Sequence, residues 1–97
     1  MKNCFDSNGR CDGYWETYYP DGVLQSKGCY VDGYKNGYWE FFFPDGRLSY
    51  HGDYVGGSRN GYWASYYKEG TLYYAGTYNL GVRVGYWVIL DDEFFIF

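Results

Sequence analysis

Ninety-seven residues with 8 basic and 12 acidic side chains give room for one small domain and a formal net charge of −4, which offers no global attraction to nucleic-acid phosphate or to an anionic membrane surface. Aromatic residues make up 27% of the chain (4 Trp, 15 Tyr, 7 Phe) and there are 15 Gly, a composition that favours strands and positive-φ turns over helices. No stretch approaches the ~20 apolar residues of a membrane-spanning helix and residues 1–6 lack an apolar signal core, so the expectation is a cytoplasmic, intracellular chain with Cys4, Cys11 and Cys29 as reduced thiols.

In chain order, residues 1–12 read as a partial unit or N-terminal cap. From Gly13 the tripeptide Gly-Tyr-Trp recurs at Gly37, Gly61 and Gly85, a constant step of 24 residues that divides the chain into units 13–36, 37–60 and 61–84 and a truncated fourth, 85–97. The first unit predicts a strand over 14–19, a tight turn at Pro20-Asp21-Gly22 and a strand over 23–31; Pro presets a negative φ and Gly accepts the positive φ of a three-residue hairpin loop. A looser turn over 32–37, ending in Asn36-Gly37, leads into the second unit. The same reading places strands at 38–43, 47–55, 62–67, 71–79 and 86–90, with an eighth at 94–97 as a capping strand or a docking tail. The expected fold is therefore all-β: a single elongated antiparallel meander of stacked hairpins, about seven strands, no substantial helix, in one domain spanning 1–97.

Pairing Tyr19 with Val23 across the tight turn sets Tyr18 against Leu24, Glu16 against Ser26 and Tyr14 against Gly28. This register lays Tyr14, Tyr38 and Tyr62 over the cross-strand glycines Gly28, Gly52 and Gly76 and makes a core face of Tyr18, Phe42, Tyr66, Leu90, the Leu24, Leu48, Leu72 column and the Tyr30, Tyr54, Tyr78 column. The opposite face then carries Trp15, Trp39, Trp63 and Trp87 among polar residues, with Phe41, Phe43, Tyr67 and Ile89 beside them, as the expected binding or dimer surface. A one-residue bulge exchanges these assignments.

Chemistry is sparse. His51 is the only histidine, which removes multi-His metal sites and the commonest general-base pairings. Asp21, Asp32 and Asp45 precede Gly in turns, where a carboxylate is a turn former, and no phosphate-loop or nucleophile-elbow motif occurs. The expectation is a protein without enzymatic activity, without cofactor and without metal.

The Gly-Tyr-Trp-Glu-x-Tyr-Tyr-Pro-Asp-Gly stretch beginning at Gly13, the Leu and Gly columns that follow, and the closing Asn-Gly together resemble the MORN-repeat group, over residues 9–90, and most closely its bacterial YwqK-like, antitoxin-type variant. That resemblance implies an elongated sheet used as an interaction, dimerisation or membrane-proximal module, with any catalysis in attached domains. The readings it leaves open are a protein-binding scaffold or self-assembly module (a homodimer included), an antitoxin or immunity protein that neutralises a toxin, and a structural subunit of a viral or cytoskeletal assembly. Nucleic acid is not expected as a partner, and lipid binding is disfavoured by the charge.

Overall fold

Two kinds of turn fix the course of the chain. At Pro20-Asp21-Gly22 the Gly22 amide donates to the Tyr19 carbonyl (2.9 Å), the Tyr19 amide donates to the Val23 carbonyl (2.8 Å), and Gly22 takes φ 92°. The turns at 43–47 and 67–71 repeat this pattern, with the Asp21 and Asp45 side chains accepting from the amides of Val23 and Arg47. The second kind corrects the looser turn expected over 32–37. Asp32 and Gly33 alone make it, with φ 53° and 85°, the double positive φ of a two-residue hairpin loop; Gly56-Gly57 and Leu80-Gly81 do the same. Residues 34–37 are therefore strand, and the first strand of each later unit starts earlier than the Gly-Tyr-Trp mark suggests.

The protein, described here by a computed structural model over residues 4–5, 9, 11–90 and 94–96, forms one antiparallel sheet in chain order. Its strands are β1 (Cys4–Phe5), β2 (Cys11–Tyr18), β3 (Leu24–Val31), β4 (Tyr34–Phe42), β5 (Leu48–Val55), β6 (Ser58–Tyr66), β7 (Leu72–Asn79), β8 (Val82–Leu90) and β9 (Phe94–Ile96). Seven long strands make the meander, short β1 and β9 flank it, and no helix occurs among the described residues. Of the expected eighth strand, residues 94–96 pair with β8; Phe97 and the acidic run Asp91, Asp92, Glu93 lie outside the described residues. With principal extents of 48 × 33 × 14 Å the molecule is one layer thick. Every described strand belongs to this one sheet, so none is left over to form a second layer on either face.

The register starts as the sequence reading has it, with Tyr18 opposite Leu24, and then slips: a bulge at Gln25 puts Thr17 opposite Ser26 and Trp15 opposite Gly28. The equivalent bulges in β4–β5 and β6–β7 set Trp39 opposite Gly52 and Trp63 opposite Gly76. Because side chains alternate faces at every residue, one extra residue moves the whole inner half of β3, β5 and β7 to the other face. Tyr30, Tyr54 and Tyr78 consequently lie with the tryptophans, while Lys27 and His51 lie with the Gly-Tyr-Trp tyrosines. The expected Tyr-over-Gly column is thus corrected to Trp-over-Gly.

Candidate functional site

A glycine column exists because an indole fills the space above it. A Cβ at Gly28 would lie 2.1 Å from Trp39 Cδ2, at Gly52 2.1 Å from Trp63 Cδ2, and at Gly76 2.1 Å from Trp87 Cδ2. Each Trp thus sits on the glycine of the preceding unit. Its Nε1–H donates to the carbonyl one residue beyond that glycine: Cys29 (2.9 Å) for Trp39, Asp53 (2.9 Å) for Trp63 and Thr77 (3.2 Å) for Trp87. Those carbonyls stand where the hairpin-to-hairpin ladder is interrupted, between Lys27 and Cys29, Gly52 and Asp53, and Ala75 and Thr77. The indole therefore seals the seam between hairpins by shape and by hydrogen bond together.

Edge-on tyrosines complete the enclosure. Tyr30 meets Trp39 at 5.1 Å and 82°, Tyr54 meets Trp63 at 5.0 Å and 85°, and Tyr78 meets Trp87 at 4.9 Å and 84°, the T-shaped arrangement that ring quadrupoles favour. On the outer side a cation covers each ring: Lys35 Nζ 5.4 Å from Trp39, the Arg59 guanidinium 4.6 Å from Trp63 and that of Arg83 5.2 Å from Trp87. Arg59 also donates to the Tyr78 hydroxyl (3.3 Å). Burial works to lower its pKa, yet the Tyr78 hydrogen bond and neighbouring phenols outweigh it and hold the guanidinium above its ordinary value, always charged.

This enclosure overturns the expected exposure of the tryptophan row. Trp39 and Trp63 are 1% exposed and Trp87 3%, so they are the core of a one-layer protein and not its free contact surface; Trp15 is half-buried. The remaining members of the expected surface keep their place beside the row. Phe41 stacks on Tyr50 (4.2 Å, 13°), Tyr67 meets Tyr73 (4.8 Å), Ile89 lies near Tyr74 and Trp87, and Phe43 stands at the turn end beside Phe41; all four are half-buried. Phe41 and Phe43 border one of two shallow grooves on the tryptophan face and Ile89 the other, whereas Tyr67 lines neither. One, about 420 Å³, is lined by Tyr19, Tyr30, Lys35, Phe41, Phe43 and Tyr50 over Trp39. The other, about 310 Å³, is lined by Arg59, Tyr74, Tyr78, Arg83 and Ile89 over Trp87.

Three cations at positions 35, 59 and 83 are the part that sequence reasoning missed. They look scattered along the chain, but they recur at the 24-residue step, and the meander turns that step into a row crossing the sheet. The first unit has Cys11 at this position.

The opposite face is built differently. Glu16 accepts from the hydroxyls of Tyr14 and Tyr18, Glu40 accepts from Tyr38 (3.1 Å) and pairs with Lys27 (3.3 Å), and His51 lies between Tyr38 and Tyr62 with its Nε2 2.9 Å from the Tyr66 hydroxyl. Partial burial, then the Glu40 charge, pushes the Tyr38 phenol up to about 12; burial and Tyr62 raise that of Tyr66. Among the described residues no group of three His, Cys, Asp or Glu side chains is placed to hold a metal ion, and no helix is long and apolar enough to cross a membrane.

Residues 12–32 match the family model described as a MORN repeat variant. The match takes in nearly all of β2, its tight turn and β3, and the same residue columns recur in the units that follow. No curated protein matches the chain.

Proposed function

We propose that this chain is a non-enzymatic, intracellular interaction module that docks a protein partner, or a second copy of itself, on the tryptophan face. The observation that carries this reading is the single layer. A sheet only 14 Å thick with aromatic side chains on both sides leaves each face without a second layer, and half-buried aromatics around shallow grooves are the surfaces that partners cover. The tryptophan face is favoured over its opposite because its aromatics are held rigidly by buried indoles, which limits the side-chain entropy lost on binding. The antitoxin-type resemblance makes a toxin one class of such a partner.

The test combines light scattering of the chain alone with affinity capture and mass spectrometry, for the native chain and for Tyr50→Ser with Tyr74→Ser. Loss of self-association or of a captured partner in that double variant, with circular dichroism unchanged, is the expected result. Tyr62→Ser with Tyr86→Ser on the opposite face should leave both readouts intact. Equal behaviour of the two double variants would overturn the assignment of the face.

A further inference from the structure

Building on the reading of the tryptophan face as a docking surface, we infer that its partner is an acidic, proline-rich segment of another protein, bound as a polyproline II helix across the strands with one carboxylate in three residues facing Lys35, Arg59 and Arg83. The charge comes first. The chain carries −4 overall, yet this row holds three cations, and among the described residues none of the three is in an ion pair; their contacts are ring faces and the Tyr78 hydroxyl. The strand carboxylates Glu16 and Glu40 stand on the other face, occupied by tyrosine hydroxyls and Lys27. A carboxylate arriving from outside therefore meets cations that have no competing anion among the described residues.

The spacing comes second. Successive cations lie two strands apart, about 9.4–9.8 Å at the usual strand separation. A polyproline II helix turns once in three residues and rises about 9.3 Å per turn, so carboxylates at every third residue fall on one side in step with the row. A β-strand ligand presents one side every second residue, about 6.6 Å, and drifts out of step. Each strand of duplex DNA carries a charge about every 3.4 Å, about three for each cation here, and nucleic acid of either kind would meet an acidic protein field. The aromatic groove between Arg59 and Arg83, and the one that flanks Lys35, suit proline rings, which dock on aromatic-lined surfaces without losing backbone freedom. The chain cannot supply this ligand itself, since its two prolines, Pro20 and Pro44, are both in hairpin turns.

Isothermal titration calorimetry of the full chain against a synthetic peptide of four Glu-Pro-Pro triplets tests this, beside Gln-Pro-Pro and Glu-Gly-Gly peptides of equal length and a ten-residue oligothymidylate. Glu-Pro-Pro should bind, more weakly as salt rises, and each of the other three should bind at least about tenfold more weakly. Arg83→Gln, at an exposed position, and Arg59→Gln should each weaken binding about fivefold with circular dichroism unchanged, whereas Tyr62→Ser should not. Equal binding of the Gln-Pro-Pro or Glu-Gly-Gly peptide, tighter binding of the oligonucleotide, or no binding of Glu-Pro-Pro overturns the inference. If Glu-Pro-Pro fails while Tyr50→Ser with Tyr74→Ser still abolishes association, only the ligand chemistry falls; if that double variant is also without effect, the docking face falls with it.

Discussion

Replacing Gly52 by alanine adds one methyl group, and the geometry says where it must go. The new Cβ would stand 2.1, 2.2 and 2.5 Å from Cδ2, Cε2 and Cγ of Trp63, whereas carbon atoms rest at about 3.5–4.0 Å. Gly52 is not among the positive-φ residues, so its backbone accepts alanine without strain; the whole penalty is the indole's. Trp63 cannot simply lift away, because its Nε1–H is bonded to Asp53 and Tyr54, Tyr78 and Arg59 close around it. Overpacking a core costs about 1–3 kcal/mol, and leaving a buried donor and its carbonyl unpaired adds about 1–3, so Gly52→Ala should destabilise the fold by about 2–6 kcal/mol. Against a total stability of about 5–15 kcal/mol for a small domain that is a large share.

A double-mutant cycle isolates the cause. Trp63→Ala alone should cost about 3–5 kcal/mol, and in that background Gly52→Ala should cost almost nothing or gain up to about 1 kcal/mol, since alanine in a strand is easier to order than glycine. Urea denaturation followed by circular dichroism measures all four corners. The reasoning is refuted if Gly52→Ala lies within about 0.5 kcal/mol of the native chain, the scatter of a neutral change, or if it costs the same with and without Trp63.

Leu80 has φ 47° in a two-residue turn where Asp32 and Gly56 stand in the other units, and it is 59% exposed. Leu80→Asn should relieve left-handed strain at little loss of burial and raise the melting temperature by about 4 °C or more for about 1 kcal/mol; a lower melting temperature would contradict it. Tyr38, with its phenol pushed up to about 12, holds its proton longer folded than unfolded. Its contribution is complete below pH 10 and is lost as pH rises through about 12, so stability should fall across that window, less steeply in Tyr38→Phe, and ultraviolet titration should lose one late-ionising phenol in the variant.

Fold class and period were legible because they are written in local chemistry: Pro-Asp-Gly turns, Leu and Gly columns, and a constant 24-residue step. What the sequence hid was register. Nothing in Leu24-Gln25-Ser26 announces that Gln25 is the extra residue of a bulge, yet that one position decides whether Gly28 faces Tyr14 or lies in the indole row. Asp32-Gly33 carried a two-residue hairpin signal that Asn36-Gly37, a stronger-looking turn dipeptide, obscured; Gly37, at φ 78°, sits inside β4. The burial of Trp39, Trp63 and Trp87 follows from the bulge and the short turn together, because a tryptophan beside the glycine of the preceding hairpin has room to lie flat. The cation row was visible in the period but not in charge runs, since its members are 24 residues apart in sequence and adjacent only after folding.

The covering of each glycine by the tryptophan of the next unit gives the array a direction, and direction makes the four tryptophans unequal. Trp39, Trp63 and Trp87 rest on Gly28, Gly52 and Gly76, but the position one repeat before Gly28 is Cys4, so Trp15 has no glycine of a preceding unit beneath it in the column, and it is only half-buried. Fully burying an indole removes about 150–250 Å² from water, about 4–6 kcal/mol as an upper bound, and a half-buried one collects correspondingly less. Trp39→Ala and Trp63→Ala should therefore each cost about 3–5 kcal/mol and unseat two hairpins from each other, whereas Trp15→Ala should cost less than half as much and leave β3 to β8 intact. Hydrogen exchange resolved by strand distinguishes these outcomes. Loss of protection spreading across β4 to β8 in Trp15→Ala, or equal destabilisation by all three substitutions, would show that the seams between hairpins do not depend on a glycine beneath the indole.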